Sequence, residues 1–231
     1  MIGEAAFYWF TTRLMRLAVW TFGRYEVVGR ERVPPTGPLL VVANHLHNAD
    51  PPLLGASIPR RIRFMAKQEL FAKRPWGFFI RLFGAFPVRR FEADLQALRR
   101  AERLLREGWA IGMFPEGHRS HGRGLQRPFP GTALIALRSG APVLPVAITG
   151  TEAIRSPLVV LRKPRIRVVI GEPFTLPAAG RITGEVVHAA TEEIMRRIAA
   201  LLPPAYRGLY QESASLTGND GRAAIAQGSE G

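Results

Sequence analysis

Two short stretches of this chain gather side chains that could move a proton and grip an anion. The first is Asn44-His45-Leu46-His47-Asn48-Ala49-Asp50, directly after the apolar run Leu39–Ala43. Histidine takes and returns a proton near neutrality, and a carboxylate on one ring nitrogen fixes the tautomer and raises the basicity of the other. Asp50 precedes Pro51-Pro52 and an apolar stretch, which reads as a helix N-cap with proline in the first turn. The chain between His45 and Asp50 is long enough to fold back, so the two could form a general base for a hydroxyl group. The spacing equally fits a capping aspartate and a loop histidine that never touch.

The second stretch is Phe114-Pro115-Glu116-Gly117-His118-Arg119-Ser120, at the end of another apolar run. An arginine beside a glycine turn and a serine hydroxyl suits the gripping of phosphate. Gly84-Ala85-Phe86-Pro87-Val88-Arg89-Arg90 again ends a probable strand on arginine. Each alone is an ordinary surface turn; together they read as a base with a cationic clamp.

These residues need a frame. Apolar runs of strand length occur at Tyr25–Val28, Leu39–Ala43, Ile62–Ala66, Ala85–Val88, Trp109–Phe114, Val143–Thr149 and Ile166–Ile170. Several are apolar throughout, which suits strands covered on both faces. Helical periodicity spans about Phe91 to Glu107 with Gly108 as its stop, then Thr132–Ser139 ended by Gly140, then about Val186–Leu202 closed by Pro203-Pro204. Strands alternating with helices predict an α/β fold, a mostly parallel twisted sheet flanked by helices. Loops at the carboxyl ends of such strands are where ligands bind, and both chemical stretches fall there.

Composition narrows the classes. At 231 residues and 47% hydrophobic, the chain can bury one large core. It contains no cysteine, which excludes disulfides, thiolate metal ligands and a thiol nucleophile. Its 32 basic residues outnumber 18 acidic ones for a net charge of +14, and all but Lys67, Lys73 and Lys163 are arginines. Such a surface is drawn to polyanions, either nucleic acid or anionic lipid.

The segment Ala5–Phe22 is apolar but carries Arg13 and Arg16 near its centre, unlike a clean bilayer span. Its Met1-Ile2-Gly3-Glu4 opening lacks the basic start of a signal peptide. At about 100° per residue, Arg13, Arg16, Trp9 and Trp20 share one side, while Phe7, Phe10, Leu14, Ala18 and Phe22 spread over the rest. This reads as an amphipathic helix at a membrane interface; a core-packing helix is the alternative. The expected organisation is a membrane-interface arm over 1–23, one domain over 24–210, and a disordered Gly/Ser/Ala-rich tail over 211–231.

Four ordered blocks resemble the glycerolipid acyltransferase family, which includes the 1-acylglycerol-3-phosphate acyltransferases. They are Asn44–Asp50, Gly84–Arg89, Phe114–Ser120 and Pro142-Val143-Leu144-Pro145-Val146, supported by Ala66-Lys67-Gln68-Glu69-Leu70 and Leu202–Gly208. The resemblance implies acyl transfer from a thioester, acyl-CoA or acyl carrier protein, to a lysophospholipid hydroxyl, without a covalent enzyme intermediate and without a cofactor or metal. It implies His45 as base and Asp50 as its partner. Arg89 and Arg119 would hold the acceptor phosphate, Glu116 would help position the acceptor or brace the site, and Gly117, Lys67 and Asn44 would complete the substrate site. The amphipathic arm and the basic charge predict peripheral or monotopic attachment to an anionic membrane surface on the cytoplasmic face. The leading acceptor is 1-acylglycerol 3-phosphate; glycerol 3-phosphate, other lysophospholipids and lyso-ornithine lipid are alternatives. His118 replaces the family's usual Thr, and Pro130 stands where a basic residue is common, so both departures bear on the acceptor.

Two other classes compete. His45-Leu46-His47 after a strand is an arrangement metal-dependent hydrolases use, with His118 and His121 as further ligands, but the chain is short for the barrel of about 250 residues that often hosts such a pair. A nucleic-acid binder would explain the charge, but would interleave exposed aromatics with basic residues on a sheet face and needs no His/Asp pair. No nucleic-acid partner is expected.

Overall fold

The computed structural model describes residues 2–22, 24–89, 94–120, 122–154, 163–177 and 180–211. The strands are β1 (Arg24–Val28), β2 (Leu39–Ala43), β3 (Ile62–Lys67), β4 (Phe86–Val88), β5 (Ala110–Met113), β6 (Val143–Thr149) and β7 (Arg165–Ile170). They form one sheet in the order β1-β7-β6-β2-β5-β3-β4. From β6 to β4 all neighbours are parallel; β7 runs antiparallel to β6 and takes β1 parallel to itself. Every strand expected from the sequence is present within a residue or two of its ends.

The central strands are apolar on both sides because both faces are covered. Leu40, Val42, Ile111, Val143 and Ala147 point to one layer, with α5 (Leu95–Arg106), α6 (Gly131–Ser139) and α7 (Gly184–Leu201) above them. Leu39, Val41, Ala43, Leu144, Val146 and Ile148 point the other way, toward α1 (Ile2–Phe22) and α2 (Asp50–Ser57). Two short helices that the sequence reading left unassigned, α3 (Gln68–Ala72) and α4 (Trp76–Leu82), connect β3 to β4. The helix expected from about Phe91 begins at Leu95, because the Asp94 carboxylate accepts the Ala97 N–H at 3.0 Å and caps it there. Positions 91 to 93 of that expectation, like the tail from 212 on, lie outside the described residues.

The helix α1, expected as an arm ending at residue 23, packs along one face against α2 and α4. Tyr8 is wholly buried; its hydroxyl accepts the Ile62 N–H at 3.1 Å, and its ring stacks on Phe83 with centroids 4.8 Å apart. Gly55 in α2 lets this happen, since a Cβ there would stand 2.9 Å from the Tyr8 hydroxyl and 3.2 Å from Thr12. At the helix start, one Glu4 oxygen lies 3.4 Å from both Arg61 and Arg63. The opposite face is bare. Trp9, Phe10, Leu14, Leu17 and Trp20 are exposed, Phe10 at 65% and Trp20 at 75%, with Arg13 and Arg16 among them. Phe7 stacks on Phe79 of α4, beside exposed Trp76 and Phe78, so the apolar surface continues across both helices. One face of the segment thus packs into the core, and the other leaves its aromatic rings and arginines exposed. Among the described residues no helix is long and apolar enough to cross a membrane.

Candidate active site

Because β6, β2, β5, β3 and β4 run parallel, their carboxyl ends share one edge of the sheet. Along that edge they deliver Thr151, His45, the Glu116–Arg119 turn, Lys67 and Arg89, in that order. The two stretches singled out by chemistry leave adjacent strands, β2 and β5, and are laced together. Glu116 Oε1 accepts the His45 N–H at 2.9 Å, and the His45 carbonyl accepts the Ser120 N–H at 2.8 Å.

His45 and Asp50 do meet. His45 Nδ1 is 2.8 Å from Asp50 Oδ2, with His45 at 7% exposure and Asp50 at 0%. The same oxygen accepts the N–H groups of Leu46 and His47 at 2.7 Å, so the loop wraps around the carboxylate. Asp50 is the first residue of α2 rather than its cap; Ala49 holds that place and makes no side-chain cap bond. The expected capping role is thus replaced, since the carboxylate turns back into the loop. The His45 ring stacks on Phe114 at 4.2 Å between centroids, which sets its plane. With Nδ1 on the carboxylate, Nε2 is the nitrogen left to accept a proton.

Glu116 is fully enclosed, and its second oxygen accepts the Gln126 N–H at 2.9 Å. Each oxygen thus accepts one backbone N–H, and the carboxylate braces the start of the β2 loop against the turn after β5. Burial pushes its carboxyl up to about 7, against the two N–H groups that favour its charge. Gly117 lets the turn form: its φ is +66°, and a Cβ would come within 2.8 Å of the Phe129 ring. Asn44, expected in the substrate site, also bonds to backbone. Its amide donates to the Ile148 carbonyl at 2.8 Å and accepts the Ile148 N–H at 2.7 Å, joining β2 to β6 where the ladder ends.

The cations divide. Arg119, half-buried beside this loop, makes no hydrogen bond or ion pair among the described residues, and its charge joins burial in holding the His47 pKa below its usual value. Lys67 Nζ sits 3.1 Å from Glu69. Arg89 is three strands from β2, about 14 Å at ordinary strand spacing, with Nε 3.8 Å from Asp94. His47 Nδ1 accepts the Ala49 N–H at 3.2 Å, and the exposed His118 donates from Nδ1 to the Glu116 carbonyl at 2.6 Å. Among the described residues no three His, Asp or Glu side chains group to hold a metal ion; His121 lies outside them. Thr151, which sequence reasoning missed, donates to Asp50 Oδ1 at 2.7 Å.

A mostly parallel α/β sheet with a buried histidine–carboxylate pair and a half-buried arginine at its carboxyl edge has the layout of an enzyme site. The chain belongs to the Acyltransferase family, whose model matches residues 24–149, and it is an acyltransferase. It is 30% identical to the 1-acyl-sn-glycerol-3-phosphate acyltransferase of Bacillus subtilis, over 84% of this chain and 96% of that protein. A shorter match, 39% identical over 118 residues, joins half of this chain to 44% of the lyso-ornithine lipid O-acyltransferase of Pseudomonas aeruginosa. Its fold is similar to the crystal structure of the 1-acyl-sn-glycerophosphate acyltransferase PlsC from Thermotoga maritima. The TM-score is 0.63 at 28% identity, covering 83% of this chain and 76% of that one.

Proposed function

We propose that this acyltransferase esterifies 1-acylglycerol 3-phosphate at a membrane surface, with His45 as general base. The observation that carries this reading is the 2.8 Å contact between His45 Nδ1 and the enclosed Asp50 carboxylate, beside Arg119, which has no ion-pair partner among the described residues. The acceptor hydroxyl gives its proton to His45 Nε2 as its oxygen attacks the thioester carbonyl. The tetrahedral adduct collapses by breaking the carbon–sulfur bond, and the departing thiolate takes the proton back from the imidazolium. No acyl-enzyme is formed, and no cofactor or metal is called for.

Arg119 binds the acceptor phosphate, since a guanidinium forks onto phosphate oxygens. Arg89 and Lys67, at the far side of the same edge, extend the positive field toward the headgroup or the donor. The bare face of α1 and α4 sits in the lipid interface of the cytoplasmic leaflet, where anionic headgroups meet the arginines and the apolar rings enter the acyl region. The names and coverage of the relatives support the acceptor. The stronger local identity to a lyso-ornithine lipid O-acyltransferase keeps that acceptor as the second reading.

One assay panel tests this. Purified protein is offered 1-acylglycerol 3-phosphate, glycerol 3-phosphate and lyso-ornithine lipid, each with acyl-CoA and acyl carrier protein donors. The expected result is highest kcat/KM on 1-acylglycerol 3-phosphate, falling about 10²–10⁴-fold in His45→Ala through loss of the base. Near-normal turnover in that variant removes the mechanism, and preference for lyso-ornithine lipid replaces the acceptor.

A further inference from the structure

We propose that Thr151 is a positioning residue for the catalytic pair, fixing the Asp50 carboxylate so that it can orient His45. This rests on the reading of His45 as base. The two Asp50 oxygens are served unequally. Oδ2 faces the His45 ring and two loop N–H groups, all from residues within five positions in sequence. Oδ1 has one hydrogen-bond partner among the described residues, the Thr151 hydroxyl, from a segment 101 residues away. A carboxylate held at one oxygen by its own loop can still turn with that loop. The second contact ties it to the end of β6 and hence to the sheet. Both groups have 0% exposure, so no water replaces the bond if it is lost.

The placement of Thr151 is itself enforced. Gly150 leaves β6 with φ of +87°, and a Cβ there would stand 1.8 Å from the Arg165 carbonyl oxygen, so the turn admits only glycine. One residue beyond Thr151, Glu152 accepts a hydrogen bond from the Tyr206 hydroxyl. The Tyr206 carbonyl accepts the Leu125 N–H, next to the Gln126 N–H that serves Glu116. The C-terminal turns therefore back both supports of the histidine, one through Thr151 and Asp50, the other through Glu116 and the His45 N–H.

The test uses the full chain with 1-acylglycerol 3-phosphate and an acyl-CoA. Thr151→Val keeps the shape and removes the hydroxyl; kcat falls about 10–100-fold, the scale for partners one shell out from a working histidine, while KM for both substrates is unchanged. Thr151→Ser restores kcat. In an Asp50→Asn background the valine change costs nothing further, because its effect passes through that carboxylate. Wild-type kcat in Thr151→Val, or a loss that adds in full to Asp50→Asn, overturns the proposal. If the valine variant does not fold, Tyr206→Phe loosens the same turn from outside. A lower kcat at constant KM then supports the proposal, and wild-type kcat overturns it. Near-normal turnover in Asp50→Asn strikes instead at the base reading, so the two failures are distinguishable.

Discussion

Single residues at the strand ends do two kinds of work here, and their hydrogen bonds tell them apart. The side-chain oxygens and nitrogens of Asn44 and Glu116 all bond to backbone, whereas Arg119 makes no hydrogen bond or ion pair among the described residues. Arg119→Lys is expected to raise KM for a phosphate-bearing acceptor by about tenfold, the worth of one charge-assisted hydrogen bond. A neutral acceptor should be unaffected; equal loss on both would make Arg119 structural. Glu116 offers a pH signature. A carboxyl whose folded pKa lies above its unfolded one keeps its proton more tightly in the folded chain. Its contribution to stability is full below about 4.5 and is lost as pH rises to about 7. The melting temperature of the wild type relative to Glu116→Gln should therefore fall across that window. A difference flat with pH would show the carboxylate ionised throughout.

Elements were legible where their burial was simple. Strands covered on both faces are apolar end to end, so β2 and β6 announce themselves, and the strand-end position of both chemical stretches follows. The pairing of His45 with Asp50 was readable as a possibility, because five residues of loop can close on themselves. Thr151 was not, since its partner is an aspartate 101 residues earlier and a threonine after glycine looks like any turn. The helices α3 and α4 escaped because they are a turn or two long, below the length at which periodicity speaks. For α1 the pattern displayed the exposed rings but hid the seam, which depends on Gly55 across the contact. Tyr8→Phe should leave the buried Ile62 N–H without its acceptor, at a cost of about 1–3 kcal/mol in denaturant unfolding. A variant as stable as the wild type would show that the seam contributes nothing. For the same reason, removal of the first 22 residues should yield an unfolded chain rather than a soluble enzyme.

At the scale of the whole molecule, charge and greasy surface combine. An exposed apolar face of this extent marks an interaction site, and the net charge of +14 favours an anionic one. Phe10→Glu with Trp20→Glu touches neither the core nor the strand-end edge. The pair should reduce co-sedimentation with phosphatidylglycerol vesicles and turnover of long-chain acceptor in them, while sparing turnover of a short-chain acceptor free in solution. Unchanged sedimentation would move the membrane contact elsewhere, and parallel loss on the soluble acceptor would mean damage to the fold.

Among the described residues the strand β1 sits at one edge of the sheet, with β7 as its one neighbour. Arg24 pairs with Arg165 and Val28 with Val169, so a strand made early finds its ladder only about 140 residues later. A growing chain must therefore carry β1 with its ladder still unmade while the residues up to 165 are translated, although α1 already meets its partners in α2 and α4. Over that interval the open edge of β1 is the part most in need of shelter, and a chaperone is what could give it. Chains halted before residue 165 should be degraded or aggregate even though the pairing of His45 with Asp50 is already encoded, because the last strand is what closes the first.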